Sequence, residues 1–175
     1  MTIAALSSLE GVAPQLTAHK AGAVNMGNSQ ELVDELCAWL DSEGYTVRSA
    51  WPKGQPNTAY AQYFIGNSYL ATMDGGMANV TFEPGCRNNW HIHHKQVQVL
   101  VCVAGRGWYQ EWGKDPVELK PGVVIAIPEG VKHWHGAAAD SWMQHLTYHK
   151  DVQDGASNEW LAPVNDEHYQ GLAVR

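Results

Sequence analysis

From Thr58 onward the chain changes from a helical period to an alternating one. The alternation breaks into short runs separated by turn signals, and that pattern limits the fold most. The runs are 60–65, 68–73, 77–83, 90–93, 98–103, 107–112, 117–119, 123–127, 132–135 and 142–148. Between them lie Gly66-Asn67, Pro84-Gly85, Gly105, the 113–116 turn, Pro121-Gly122 and the 128–130 turn. Short strands at this spacing predict an all-β sandwich or barrel. The runs 97–103 and 123–127 carry apolar residues on the face that would point outward, so a helix, an arm or another subunit is expected to cover the sheet.

Ahead of this region the chain reads differently. Residues 1 to about 27 show no firm period and predict an arm. The stretch 28–44 predicts a helix, with Asn28 as cap, Glu31 completing a capping box and Gly44 ending it. Leu32, Val33, Leu36, Trp39 and Leu40 form its apolar stripe. Pro52, Gly54 and Pro56 mark a linker. The expected division is therefore 1–56, an arm and helix packing on the barrel or on a partner subunit, and 57–175, the barrel itself. The tail after Val152 regains a helical character near 165–169.

The histidines concentrate within this frame. Of nine in the chain, those at 91, 93, 94, 133, 135, 145 and 149 fall in the strand region. His91/His93 and His133/His135 are each spaced His-x-His, which on a strand puts both imidazoles on one face. Parity also groups Gln98 with Leu100 and Cys102, and Met143 with His145, Thr147 and His149. Two such faces turned toward each other gather neutral nitrogen donors at one point, the arrangement a divalent transition metal requires. Trp90 and Trp134 fall on the opposite face and read as core. His94 sits in a loop and is expected at the surface.

Composition excludes several classes. A net charge of −7 argues against a nucleic-acid or anionic-membrane partner. The 3 cysteines are an odd number at unrelated spacings, forming neither a disulfide framework nor a thiolate metal site, and they suit a reducing cytoplasm. The opening MTIAALSSLEGVAP lacks a basic n-region, so no signal peptide is expected. No apolar run is long enough for a membrane span. The expectation is a soluble cytoplasmic protein, with a homo-oligomer (dimer or tetramer) supplying the missing cover and a small molecule as the other partner.

Two segments then carry a resemblance. Gly85, His91, His93, Gln98 and Gly105 follow the first conserved motif of the cupin superfamily, Gly-x5-His-x-His-x(3,4)-Glu-x6-Gly, with Gln98 in place of the Glu. Gly122, Pro128, Gly130 and His133 follow the second, Gly-x5-Pro-x-Gly-x2-His-x3-Asn, with Ala137 in place of the Asn. The resemblance implies a cupin double-stranded β-helix, or jelly-roll barrel, with the helix-containing segment as an extension. More narrowly, the strings VTFEPGCRNNWHIH, VAGRGWYQEWG and PEGVKHWHGAAADSWMQHL resemble small bacterial cupins. That group includes the manganese-dependent hydroxynitrile lyases and cupins associated with carboxymuconolactone decarboxylases. It implies His91, His93, Gln98 and His133 as metal ligands and His145 as a general base with a pKa suited to neutral pH. The chain departs from the lyases in a first-motif loop one residue longer and in His149, where they carry Gln.

The implied cofactor is one divalent metal, with manganese favoured and iron, nickel, zinc or cobalt as alternatives. With no anionic ligand the ion keeps its full charge, favouring Lewis-acid work over redox. His135 reads either as a donor that orients a ligand or as a wall residue, and His149 as a relay or a rim residue. The expected function is a metal-dependent cupin enzyme of lyase type acting on a small hydroxylated or carbonyl substrate. The alternatives are a dioxygenase or isomerase on a small organic acid or lactone, and a ligand-binding cupin without catalysis.

Overall fold

A computed structural model describes Ile3 and residues 13–42 and 49–174. Two helices come first, α1 (Ala13–Asn25) and α2 (Gln30–Ser42). The arm expected over 1–27 is helical from Ala13 to Asn25, in α1. Its sequence APQLTAHKAGAVN has no apolar stripe, but Ala, Leu, Gln and Lys favour a helix without one. The expected cap also shifts. Ser29 Oγ accepts from Leu32 N at 3.1 Å, while Asn28 Nδ2 donates to Ala23 O at 2.8 Å and closes α1 instead. The buried face of α2 is Val33, Cys37 and Leu40, leaving Leu32, Leu36 and Trp39 exposed. The apolar stripe is thus split, with Cys37 as its unforeseen inner member. Gly44, the expected terminator, lies outside the described residues.

Two sheets follow. One orders β1 (Gln55–Pro56), β3 (Ser68–Thr72), β4 (Ala78–Phe82), β12 (Met143–Lys150), β7 (Val97–Gly105) and β10 (Val124–Ile127). The other orders β13 (Ser157–Trp160), β6 (His91–His94), β11 (His133–Ala137), β5 (Arg87–Asn88) and β2 (Phe64–Ile65), with β8 (Gly107–Glu111) and β9 (Val117–Leu119) joined to β11 on its other side. The pairings are antiparallel, and the result is the expected all-β jelly roll. The strand expected over 60–65 survives only as β2, because 61–63 form a 3-10 turn. The presumed linker lies on the sheet: β1 pairs with β3, and the carbonyls of Pro52 and Lys53 accept from Asn79 Nδ2 and Thr81 Oγ1.

Phe82, Leu100, Cys102, Leu119, Ile127 and Met143 pack between the sheets. Outside the second sheet, Trp90 and Trp134 form a separate cluster with Val164, Tyr169 and Leu172, so both tryptophans are core as their parity predicts. Arg87, 3% exposed, fastens this tail. It donates to Val164 O, pairs with Asp166 at the start of α3 (Asp166–Gln170), and lies 4.2 Å from the Tyr169 ring. By contrast, the outer face at β10 stays open in this chain, with Val124 59% exposed and Ala126 and Tyr148 exposed beside it.

Two local devices set the register. Gly136 must be glycine, because a Cβ there would fall 2.5 Å from Cys86 O and 2.6 Å from Arg87 Cα. On β7, Val103 is an extra residue: Gln144 opposes Ala104, whereas His145 opposes Cys102. This bulge lets β12 keep strict alternation, with Met143, His145, Thr147 and His149 all facing inward.

Candidate metal centre

β6 and β11 are paired at His91 and His133. That register brings the two imidazoles to a centroid separation of 4.1 Å, with His93 at 5.1 Å from His91 and 5.4 Å from His133. The three are buried, and one ring nitrogen from each lies within 4.8 Å of the other two. Gly130, in its left-handed conformation, donates its N–H to His93 O and ties the 128–130 turn to the same strand.

Each imidazole is oriented through its Nδ1. His91 Nδ1 donates to Asn89 O at 2.9 Å, and His133 Nδ1 to Val131 O at 2.9 Å. His93 Nδ1 donates at 2.6 Å to Asn158 Oδ1, which also accepts from Gln96 Nε2 at 2.8 Å. A neutral imidazole with a proton on Nδ1 keeps a lone pair on Nε2. All three rings therefore present acceptors, and His93 Nε2 is buried without a partner.

Gln98 reaches the cluster from the facing sheet. Its Nε2 donates to Thr147 Oγ1 at 3.3 Å, and its Oε1 stands 3.1 Å from His133 Nε2. Both of those atoms carry lone pairs. Thr147 Oγ1 can donate as well as accept, so the Gln98 amide can turn either its oxygen to a bound cation or its Nε2 to the His133 lone pair. Burial keeps the rings neutral, lowering the His133 pKa to about 4 and holding His91 well below the ordinary imidazole value. The donor set of neutral nitrogens and an amide oxygen, with no thiolate, fits a divalent transition-metal ion.

His135, His145 and His149 line the same cavity without joining the three-histidine cluster. His149 opposes Gln98 across β12 and β7, its ring 5.0 Å from His93. His145 is fully enclosed, and burial pushes its pKa down to about 4 rather than the near-neutral value expected from the sequence. It is thus neutral at pH 7, able to accept a proton at Nε2 because Nδ1 donates to Leu146 O at 3.2 Å. His94 sits at the surface beside Glu159, 2.7 Å away.

The cavity holds about 210 Å³. Imidazoles from both sheets line it, together with an aromatic cluster of Tyr60, Phe64 and Trp160. Trp160 lies 4.7 Å from the His91 ring and is stacked on Tyr63 at 4.6 Å. The sequence reading missed Asn158, Trp160 and Asn88. The first two share a face of β13, which pairs residue for residue with β6. Their only signal was the Asn-x-Trp alternation in a stretch otherwise poor in strand-forming residues. Among the described residues no helix is long and apolar enough to cross a membrane.

Comparison with known proteins agrees with this geometry. The cupin domain family model matches residues 78–147. An (R)-mandelonitrile lyase from Granulicella tundricola is 44% identical over 93 residues, 53% of this chain and 70% of that protein. The crystal structure of a cupin-like protein from Thermotoga maritima superposes with a TM-score of 0.64 at 35% identity, covering 71% of this chain and 96% of that one. A second Thermotoga maritima structure, titled a predicted oxalate decarboxylase, gives 0.50 at 19% identity over 59% of this chain and 96% of that one, a likeness of fold alone. With both sequence motifs, the jelly roll and the three-histidine cluster in place, the chain belongs to the cupin family.

Proposed function

We propose that the chain is a metal-dependent lyase that cleaves a small α-hydroxynitrile, with His91, His93, Gln98 and His133 holding one divalent ion, manganese by preference. The observation that carries this reading is the convergence of buried nitrogens of His91, His93 and His133 within 4.8 Å of one another, with the Gln98 amide 3.1 Å from His133 Nε2. Bound there, a divalent ion supplies a Lewis acid with its charge undiminished by any anionic ligand.

The remaining roles belong to the chain's own groups. The aromatic wall of Tyr60, Phe64 and Trp160 seats the apolar part of the substrate and excludes water. His145 Nε2 takes the proton of the substrate hydroxyl. The electron pair of that O–H bond becomes the carbonyl π bond as the carbon–carbon bond to the nitrile breaks. Cyanide departs with the electrons of the broken bond and receives the proton back from His145 as hydrogen cyanide, leaving an aldehyde. His149, at the cavity rim, extends the proton path outward.

The 44% identity to an (R)-mandelonitrile lyase supports the choice of substrate class. Buried, unpaired Cys37, Cys86 and Cys102 support a reducing cytoplasm. We further propose that residues 1–56 act as a packing extension, and that the open face at Val124, Ala126 and Tyr148 is covered in a homo-oligomer. The test uses manganese-loaded protein and racemic mandelonitrile, with benzaldehyde and cyanide both assayed. Equal release of the two, lost in His145→Ala, is the expected result. No release would refute the lyase reading, and turnover that consumes oxygen would replace it with a dioxygenase.

A further inference from the structure

Four buried imidazole nitrogens of the residues that line this cavity have no partner, His93 Nε2, His135 Nδ1, His145 Nε2 and His149 Nε2, and of these His135 Nδ1 and His145 Nε2 belong to adjacent rings. Their rings are edge to face, with centroids 4.9 Å apart. Which of these atoms carries a proton follows from their neighbours.

Asn88 is 2% exposed and makes both of its contacts to a single residue. Its Oδ1 accepts from the backbone N of His135 at 2.9 Å, and its Nδ2 lies 2.9 Å from the Nε2 of the same ring. A backbone N–H can only donate, so the amide orientation is settled: Oδ1 faces the backbone and Nδ2 donates to the ring. An Nε2 that accepts carries no hydrogen, and the hydrogen of His135 is therefore on Nδ1. His145 is opposite in sense, with Nδ1 donating to Leu146 O and Nε2 left as an acceptor. The two unpartnered atoms are one donor and one acceptor.

We infer that Asn88 is a positioning residue: it fixes His135 as the Nδ1–H tautomer, so that His135 and His145 together recognise an oxygen that both accepts and donates, an alcohol rather than an ether. A hydroxyl satisfies both buried atoms at once. An ether oxygen satisfies His135 and leaves His145 Nε2 facing a methyl group, which costs a buried hydrogen bond. The catalytic consequence, a hydroxyl delivered with its proton already directed at His145, rests on the lyase reading above. The tautomer and the alcohol preference do not.

The experiment uses uniformly ¹⁵N-labelled full-length protein loaded with zinc, a diamagnetic probe, and reads the ring nitrogens of His135 by long-range ¹H–¹⁵N correlation. Wild type is expected to show a protonated Nδ1 and a bare Nε2. Asn88→Asp, whose carboxylate only accepts, should invert that pattern. A protonated Nε2 in wild type, or an unchanged pattern in Asn88→Asp, would overturn the inference. The second arm titrates benzyl alcohol and benzyl methyl ether into the same wild-type sample. The ether should bind about tenfold or more weakly, a difference of about 1.4 kcal/mol, and equal affinity would sink the recognition claim. Neither wild-type arm depends on turnover or on a variant that folds. An inactive protein that still shows the tautomer and the alcohol preference would refute the lyase reading alone.

Discussion

The two His-x-His pairs make an instructive contrast, since they lie on neighbouring strands of one sheet and share the same parity. On β6, both histidines give Nδ1–H to an oxygen, Asn89 O for His91 and Asn158 Oδ1 for His93. On β11 only His133 does so, to Val131 O, whereas the Nε2 of His135 accepts from Asn88 Nδ2. Identical residue types at identical spacing thus present different atoms to the cavity. What separates a ligand from a neighbour is the partner of the other ring nitrogen, and that partner comes from elsewhere in the chain.

The contrast can be broken most directly by truncating one member of each pair. His91→Ala should reduce metal content to background in elemental analysis of purified protein, while His135→Ala retains about one ion per chain. Equal content in the two variants would abolish the distinction. A subtler break targets the partner. Asn158→Ala leaves His93 in place but frees its Nδ1, and metal affinity measured by chelator competition should fall about 10–100-fold. An unchanged affinity would mean that β13 has no part in the site.

The surplus imidazoles give a third handle. Unfolded histidine takes up protons below its ordinary value of 6.5, but native His145 does not until about 4. The unfolded state therefore binds more protons across that window. Stability of the metal-free protein should be whole above pH 6.5 and decline as pH falls toward 4. In His145→Gln the decline should be shallower by denaturant titration, and an identical slope would refute the burial argument. The smallest effect is expected at His94, about half exposed in its pair with Glu159. His94→Ala should leave metal content unaltered and shift stability by less than about 1 kcal/mol.

These contrasts also mark how far the sequence could be read. Strand parity grouped the histidines because alternation is local, and the cupin resemblance singled out His91, His93, Gln98 and His133. Of these the structure gathers the three histidines and sets Gln98 3.1 Å from His133. The hydrogen-bond partners did not yield to the same reading. Asn158 lies 65 positions from His93 and Asn88 lies 47 from His135, so only the register of β13 on β6 and the approach of β5 to β11 bring them together. The acidity of His145 was misjudged because enclosure is a property of the closed barrel rather than of the residue. At the other end of the chain, α1 escaped notice because its helix rests on alanine-rich propensity without an apolar face.

The pairing of β13 with β6 has a bearing on when, during synthesis, the site is finished. His91, His93, Gln98 and His133 have all been made once the chain reaches the second motif, yet the oxygen that steadies His93 belongs to Asn158. A nascent chain halted before that strand would carry all four proposed ligands but would lack the oxygen that holds His93 Nδ1. Residues 157–160, which dock on β6, therefore complete the hydrogen bonding of the site.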